Sequence, residues 1–297
     1  MASAPTKVIV LGASGMLGHR LCCELAPDFD VAATVRSPSA LPAGVLDERV
    51  RLLSGVTAED FQSLVAAVAA VRPDVVVNCI GIIKQVAAAA DPVPSISVNA
   101  LLPHRLAELS SAAGAHFVHV STDCVFSGRK GGYTEQDVPD PVDLYGRTKQ
   151  LGEVSREGAT TLRTSMIGRE LRTAYGLLEW FLSQKGGTVH GFTRAIYSGF
   201  TTAALSREIG ALIRRDSPLD GIWHVAADPI NKYDLLTQIR DAFGLHVTIE
   251  PDDDFFCDRS LDDRRYRAET GSSHPLWPDM IDELAQESKA RTRVAGV

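Results

Sequence analysis

The sequence predicts an α/β fold, in which a Rossmann-type, doubly wound parallel sheet is followed by a smaller C-terminal α/β domain. Short apolar runs alternate with helical patterns through the first half of the chain, which is typical of a parallel sheet with helices between its strands. A glycine-rich turn separates the first apolar run from the first helical pattern. With 297 residues, 45% of them hydrophobic, the chain can bury the core of one large domain or of two unequal domains.

The strands predicted for the first domain are short apolar runs. They cover residues 8–11, 31–35, 50–53, 75–78, 117–120 and 160–164. Between the third and fourth runs, FQSLVAAVAAV predicts a helix. Thr57 and Asp60 form a capping-box-like signal before this helix, and Pro73 stops it before the next strand.

The alternation weakens after residue 164. The segments LLEWFLSQ, ALSREIGALIRR and KYDLLTQIRDAF have helical patterns, whereas GIWHVA predicts a strand. We therefore place the Rossmann domain at residues 1–165 and the smaller domain mainly at residues 166–297. Segments around residues 190–225 are expected to return to the first domain. A less regular second half of this kind is typical of a substrate-binding domain.

The glycine turn lies in KVIVLGASGMLGHRL, which predicts a buried strand, a tight turn and an amphipathic helix. Gly12, Gly15 and Gly18 have the spacing G-x-x-G-x-x-G. This spacing provides one glycine for the turn, one for the approach of backbone to a pyrophosphate, and one for close packing of helix on strand. The amides of Met16 and Leu17 would face the phosphates, so the segment predicts a dinucleotide-binding site.

The choice of dinucleotide is made at the end of the second strand. An acidic residue there binds a ribose 2′-hydroxyl, whereas an arginine accepts a 2′-phosphate. This chain reads AATVRSP, with Arg36 and no acid. We therefore expect NADP(H) as the preferred cofactor, with NAD(H) as the alternative; an exposed loop arginine without this role is the competing interpretation.

The fourth strand ends in VVVNCIGIIKQ. Asn78, Cys79 and Gly81 therefore lie at the carboxyl edge of the sheet, where open α/β sheets bind ligands, and we expect them to line the cofactor cleft. Asn99, in the following helix, can either brace this edge through its side chain or cap its own helix.

Tyr145 and Lys149, in DLYGRTKQLGE, lie on one face of a helix that begins near Tyr145. An ammonium one turn away would lower the pKa of the phenol, and the same lysine can hold a ribose hydroxyl. The fifth strand ends in HVSTDCVFSG, which brings Ser121, Thr122 and Asp123 to the same edge. Alone, these three are typical strand-end polar residues. With the Tyr/Lys pair, they can stabilise a developing alkoxide and protonate it.

Composition excludes several other classes of protein. A formal net charge of −7 argues against a surface for nucleic acid or for an anionic membrane. The five cysteines include no C-x-x-C pair and no cluster at zinc-ligand spacing, so we expect a reduced protein without a metal. Cys124 follows an acid that would raise its pKa, which favours packing over nucleophilic chemistry. No membrane-length apolar run occurs, and we expect a cytoplasmic protein.

The chain resembles the extended short-chain dehydrogenase/reductases, and among them the dTDP-4-dehydrorhamnose reductase-like family. The motifs that carry the resemblance stand in the family's order: LGASGMLG, VVNCIG, VSTDCVFSG, GGYTEQDVP, LYGRTKQLGE, LRTSMIG and DRSLDD. The central block is highly specific and the last motif is much less so.

The resemblance implies that Thr122, Tyr145 and Lys149 are catalytic and that the glycine turn binds the dinucleotide. Hydride would pass to the 4-keto group of a nucleotide sugar, with Tyr145 protonating the oxygen. Trp180 and Arg259 resemble aromatic and basic positions that contact the substrate. A homodimer is compatible with the sequence, which does not determine the oligomeric state.

Two departures from the family's pattern bear on the reaction. Cys124 stands where the related 4,6-dehydratases carry a glutamate, which disfavours dehydration, and where the reductases usually carry an aromatic residue. The chain also reads RAIYSGFTT where the reductases have a Gly/Ser-Pro-Thr stretch. The sugar and the nucleotide therefore stay open. The alternatives to a reductase are an epimerase or epimerase-reductase and a non-catalytic NADP-binding regulatory subunit.

Overall fold

The computed structural model describes residues 4–85, 90–273 and 275–294. Its strands, in chain order, are β1 (Lys7–Leu11), β2 (Asp30–Val35), β3 (Arg51–Ser54), β4 (Val75–Asn78), β5 (His116–Val120), β6 (Ala159–Arg163), β7 (Met166–Ile167), β8 (Thr188–Phe192), β9 (Ala195–Tyr197), β10 (Phe200–Thr201), β11 (Gly221–His224), β12 (Ile230–Asn231), β13 (Thr248–Asp252) and β14 (Cys257–Asp258). Its α-helices are α1 (Met16–Leu25), α2 (Phe61–Val71), α3 (Pro92–Ser95), α4 (Leu102–Ala112), α5 (Leu144–Leu151), α6 (Leu177–Leu182), α7 (Thr202–Ile213), α8 (Lys232–Phe243), α9 (Arg264–Thr270) and α10 (Trp277–Val294).

Seven of the described strands form one parallel sheet in the order β3-β2-β1-β4-β5-β6-β11. The chain starts at β1 in the middle, winds outward through β2 and β3, and then returns to β4 on the other side of β1. A cleft opens at such a reversal, because the connections after β1 and β4 leave in opposite directions. The predicted fold class, a doubly wound Rossmann-type sheet, is confirmed.

The sheet is buried on both faces, which explains why its strands read as continuous apolar runs. Val8 and Val10 of β1 pack into the core on the side of α1 and α7. Ile9 and Leu11, which point the opposite way, pack into the core on the side of α2 and α4. All four side chains have no exposed surface. The site described below therefore rests on a rigid, fully packed support.

Helix α2 covers the predicted segment, but its cap differs from the expected one. Asp60 is the N-cap residue, and its carboxylate accepts a hydrogen bond from the amide of Gln62 at 3.0 Å. Thr57 instead accepts a bond from the amide of Asp60 at 3.1 Å. The helix ends before Pro73, with Arg72 in the left-handed region at φ 50°.

The second half of the chain adds small sheets beside the main one. Strand β7 pairs with β10, β8 pairs with β13, and β9 pairs with both β12 and β14. Helix α7 packs on α1 of the Rossmann core, and β11 adds the last strand to the main sheet beside β6. The division into domains at residues 1–165 and 166–297 stays a prediction. None of the described helices has the length and apolar character needed to cross a membrane.

Two buried histidines, His119 and His224, and the half-buried His116 make folding sensitive to mild acid. Burial lowers the pKa of His116, His119 and His224 below 6.5. The unfolded chain therefore binds more protons than the folded protein below about pH 6.5, and stability falls as the pH drops. Each histidine contributes up to about 1.4 kcal/mol per pH unit in this range. We expect the Tm to fall between pH 7 and 5 in thermal unfolding, and less steeply in His119→Gln. A Tm independent of pH in this window would contradict the assignment.

Candidate active site

The glycine turn joins β1 to α1 in a conformation that only glycine supports at two positions. Gly12 has φ +85°, in the left-handed region that side chains rarely adopt. A Cβ atom on Gly18 would lie 2.3 Å from the carbonyl oxygen of Gly12, so α1 packs directly on the turn. The amide of Gly15, the N-cap residue of α1, donates to the carbonyl of Gly12 at 3.0 Å. The first turn of α1 therefore presents its free amides at the cleft.

A cavity of about 390 Å³ opens at the carboxyl edge of the sheet. The glycine turn contributes Gly15, Met16 and Leu17 to its wall. Beyond this turn, the lining comes from the ends of β4, β5 and β6, from α5, and from the second half of the chain. These side chains and backbone groups include Cys79, Gly81, Ser121, Thr122, Asp123, Cys124, Tyr145, Lys149, Tyr197 and Lys232.

The edge of β4 is braced by Asn99. Its amide oxygen accepts from the backbone of Ile82 at 2.8 Å, and its amide nitrogen donates to the carbonyl of Ile82 at 3.0 Å. Asn99 lies in a π-helical segment, Ile96–Leu101, and π-helical turns often occur at functional sites. The side chain therefore braces the strand rather than capping a helix. Asn78, expected in the cleft, faces inward and is fully buried; it does not line the cavity among the described residues.

Helix α5 carries the Tyr/Lys pair and is fixed at its start. The carboxylate of Asp143 accepts from the amide of Gly146 at 2.8 Å and forms an ion pair with Lys84 at 2.6 Å. A Cβ atom on Gly146 would lie 2.3 Å from the carbonyl oxygen of Cys124. Because glycine permits this approach, the first turn of α5 lies against the segment that follows β5.

Tyr145 meets Thr122 in this arrangement. Burial raises the pKa of Tyr145, helped by nearby Cys124 and Asp123 and opposed by Thr122. We predicted that Lys149 lowers the pKa of Tyr145. That prediction is wrong, because the pKa of Tyr145 is raised and Lys149 is not among the groups that shift it. The amine of Lys149 donates to the carbonyl of Val120 at 2.7 Å. Tyr145 therefore stays protonated at neutral pH.

Lys149 is 5% exposed, and burial lowers its pKa to about 8, against the opposing effect of Glu153 and then of Cys79. Such a group can change its protonation state near neutral pH. Since it lines the cavity beside Cys79, Lys149 is in position to contact a bound cofactor.

The three polar residues after β5 have different roles. Ser121 donates to Glu153 at 2.8 Å, and Glu153 forms a buried ion pair with Arg163 at 2.7 Å. Thr122 accepts from the amide of Cys124 at 3.1 Å and donates to Asp123 at 3.1 Å. Ser121 is therefore engaged in supporting the strand end, which leaves Thr122 and Asp123 facing the reaction space.

Asp123 and Cys124 are both shifted towards their neutral forms. Burial raises the pKa of Asp123, with Arg259 as the largest opposing influence. Burial, followed by the charge of Asp123, raises the pKa of Cys124 to about 12. The packing role predicted for Cys124 agrees with this environment, because a thiol with such a pKa is a poor nucleophile.

Lys232 and Tyr197 form a part of the wall that the sequence did not reveal. The amine of Lys232 lies 4.0 Å from the centroid of the Tyr197 ring. Burial lowers the pKa of Lys232 to about 8, although Asp123 and the thiols of Cys124 and Cys257 favour its charged form. In the sequence, Lys232 is the first residue of an ordinary amphipathic helix. Only the packing of this helix against the small strands of the second half brings Lys232 to the cavity.

The remaining predicted residues lie farther from the reaction space. Trp180 is 39% exposed beside Phe181 and is not among the described residues that line the cavity. Helix α6 turns it towards solvent, so the structure does not bring it to the site. Arg259 lies behind Cys124, with its guanidinium 3.9 Å from the sulfur. Arg36 is exposed immediately after β2. Among the described residues no group of acids, histidines or cysteines is arranged to hold a metal.

The chain has recognisable relatives. The model of the RmlD substrate binding domain family matches residues 6–254. Methionine adenosyltransferase 2 subunit beta of Rattus norvegicus is 26% identical over 251 residues, 80% of this chain and 72% of that protein. Spore coat polysaccharide biosynthesis protein SpsK of Bacillus subtilis (strain 168) is 28% identical over 251 residues, 82% of each chain.

A solved structure shares the whole fold. The dTDP-4-dehydrorhamnose reductase from Bacillus anthracis str. Ames in complex with NADP has a TM-score of 0.77 and 22% identity, covering 95% of this chain and 99% of that chain. The resemblance inferred from the motifs is confirmed by the family match. With most of its length matched by one family model, the chain belongs to the RmlD substrate binding domain family.

Proposed function

We propose that the protein is an NADPH-dependent reductase of a nucleotide-linked 4-keto-6-deoxysugar. The observation that carries this proposal is that one cavity joins the glycine turn to Thr122, Tyr145 and Lys149. One end of the cavity suits a dinucleotide, and the other has the hydroxyl groups that a carbonyl reduction needs. The similarity to a dTDP-4-dehydrorhamnose reductase solved with NADP and to a polysaccharide biosynthesis protein supports the same class of substrate.

The residues present fit a dinucleotide cofactor. The turn keeps Gly15 and the amides of Met16 and Leu17 at the cavity wall, and the absence of side chains at the glycines leaves backbone accessible to phosphate oxygens. Cys79 and Gly81 would flank the cofactor, and Lys149 would hold its ribose. When bound, the nicotinamide supplies the hydride for the C4 carbon of the sugar.

The protein's own groups manage the charge on the carbonyl oxygen. Thr122 is fixed by Cys124 and Asp123 and lines the same cavity as Tyr145. The raised pKa of Tyr145 keeps its proton available at neutral pH, so that it can be given to the oxygen as negative charge develops. Lys232 and Asp123 would contact the hydroxyl groups of the sugar, because one donates hydrogen bonds and the other accepts them.

The test is an assay of NADPH with a panel of nucleotide-linked 4-keto sugars, followed by absorbance at the nicotinamide band. Oxidation of NADPH with one member is expected, with a 4-hydroxy product. Conversion of the sugar without net oxidation would instead identify an epimerase. Tight NADPH binding without conversion of any sugar would contradict the reductase proposal.

A second candidate is a cofactor-binding subunit of another enzyme. The relative from Rattus norvegicus, named as a subunit of methionine adenosyltransferase 2, favours it. The complete set of Thr122, Tyr145 and Lys149 counts against it, since a binding module has no need of a proton donor. The sugar panel separates the two candidates, because a pure subunit would bind NADPH and convert no sugar.

We expect Arg36→Asp to reverse the cofactor preference. The arginine is exposed at the end of β2, where it can pair with a 2′-phosphate, and an aspartate there would repel that phosphate and accept from a 2′-hydroxyl. Titration by nicotinamide fluorescence should show tighter binding of NADPH than NADH in the parent and the opposite in the variant. Equal affinities before and after the change would remove this assignment.

We expect Lys232→Met to reduce kcat/KM for the sugar by about 10–100-fold, because a hydrogen bond from a charged group contributes about 1.5–3 kcal/mol. NADPH affinity should change little, since Lys232 lies on the Tyr197 side of the cavity. Steady-state kinetics and NADPH titration check this result. The matched control is Lys185→Met at an exposed lysine, and equal kinetics for the two variants would refute the role.

A further inference from the structure

A chain of buried polar groups runs behind the cavity from β4 to α5. It consists of Asn78, His119 and Lys149, which are 1%, 0% and 5% exposed. The amide nitrogen of Asn78 lies 3.1 Å from Nδ1 of His119, and Nε2 of the same ring lies 3.5 Å from Nζ of Lys149. Neither Asn78 nor His119 belongs to the cavity wall described above, so their polarity has a use other than contact with substrate.

A backbone group fixes the direction of the hydrogen bonds that link Asn78, His119 and Lys149. The amide of Ile80 donates to Oδ1 of Asn78 at 3.1 Å, so the Asn78 side chain must turn its NH₂ group towards His119. Nδ1 of His119 therefore accepts. Burial, with Lys149 and His104 as further causes, lowers the pKa of His119 well below its usual range, so the ring is neutral. A neutral imidazole that accepts at Nδ1 carries its proton at Nε2.

That proton points at Lys149. An N–H group directed at an ammonium is unfavourable, whereas the lone pair of a neutral amine accepts it. The amine can accept from His119 while one of its own hydrogens bonds the carbonyl of Val120 at 2.7 Å. The N–H group of His119 therefore has a hydrogen-bond acceptor only when Lys149 is neutral.

Other groups around Lys149 act in known directions. Glu153, two residues beyond the end of α5, and Cys79, next to the end of β4, favour the charged amine, whereas burial disfavours it. Tyr145 lies on the same helix. His119 is the neutral dipole among these neighbours, and its orientation adds to the effect of burial.

We propose that His119, held in one tautomer by Asn78, is a positioning residue that favours the neutral form of Lys149 and fixes the direction of its amine. Its consequence for turnover rests on the proposed function. Where the charged lysine supports reduction, the alkaline limit of kcat follows the protonation of Lys149, which His119 moves to lower pH.

The direct test follows Lys149 by NMR in protein carrying ¹³C-labelled lysine, assigned by the signal lost in Lys149→Arg. In His119→Phe, which keeps the ring and removes the N–H group, the pKa of Lys149 should rise by about half a unit or more. His119→Gln can accept from Asn78 and donate to Lys149, so it should restore the parent value. Identical titrations in all three proteins would overturn the proposal.

A measurement on the unaltered protein does not depend on whether the variants fold. The ¹⁵N shifts of labelled histidine should show that the neutral ring of His119 carries its proton on Nε2, and a proton on Nδ1 of His119 would overturn the proposal. Kinetics come last: the alkaline limb of kcat should move to higher pH in His119→Phe and not in His119→Gln. Failure of the protein to reduce any 4-keto sugar would contradict the proposed function while leaving both NMR tests valid.

Discussion

Replacing Tyr145 by phenylalanine is expected to lower kcat by about 10²–10⁴-fold while NADPH affinity stays nearly unchanged. The phenol gives its proton only as the carbonyl oxygen gains charge, so its loss affects the transition state more than binding. The ring itself stays, and the packing of α5 against the segment after β5 depends on Gly146 rather than on the hydroxyl. Single-turnover kinetics and NADPH titration measure the two quantities separately.

The control for this experiment is Tyr233→Phe, which removes a hydroxyl from a tyrosine of α8 outside the cavity wall. It should turn over at the parent rate. Lys149→Ala should differ from both, because Lys149 is placed to contact the cofactor and therefore affects NADPH affinity as well as kcat. A Tyr145→Phe protein that reduces a 4-keto sugar at near the parent rate would show that the assigned mechanism is wrong.

Gly18→Ala is expected to weaken NADPH binding by about 5–100-fold, since forced overpacking costs about 1–3 kcal/mol. The added Cβ atom would lie 2.3 Å from the carbonyl oxygen of Gly12 and 2.9 Å from Cα of Ala13, so backbone has to move. That movement displaces the turn that positions the first amides of α1. Binding titration and thermal unfolding should both register the change.

Gly15→Ala is the matched comparison within the same turn. Its Cβ atom would lie 3.3 Å from the carbonyl oxygen of Gly12, a contact that a small adjustment relieves. We therefore expect a smaller fall in Tm than for Gly18→Ala. Parent affinity and parent Tm in Gly18→Ala would show that the close packing of α1 on the turn is not needed for the site.

Local sequence determined the architecture. The apolar runs and the glycine spacing predicted the strands of the main sheet and the turn after β1, because backbone geometry and burial are set by residues close in the chain. The Tyr145 and Lys149 spacing placed both residues on α5 for the same reason. Asp60 replaced Thr57 as the cap of α2, since competing caps a few residues apart differ by small energies.

The chemistry of the site was decided by tertiary structure. Lys232 and Tyr197 reach the cavity from the second half of the chain, Trp180 turns to solvent, and Asn78 faces the core. The pKa of Tyr145 is raised rather than lowered because burial acts on it while Lys149 bonds a carbonyl elsewhere. The sequence by itself determined the fold, the glycine turn and which residue types meet at the sheet edge. Which way each polar side chain points, and which charge it carries, depended on neighbours far apart in the chain, because solvation and electrostatic interactions act through space.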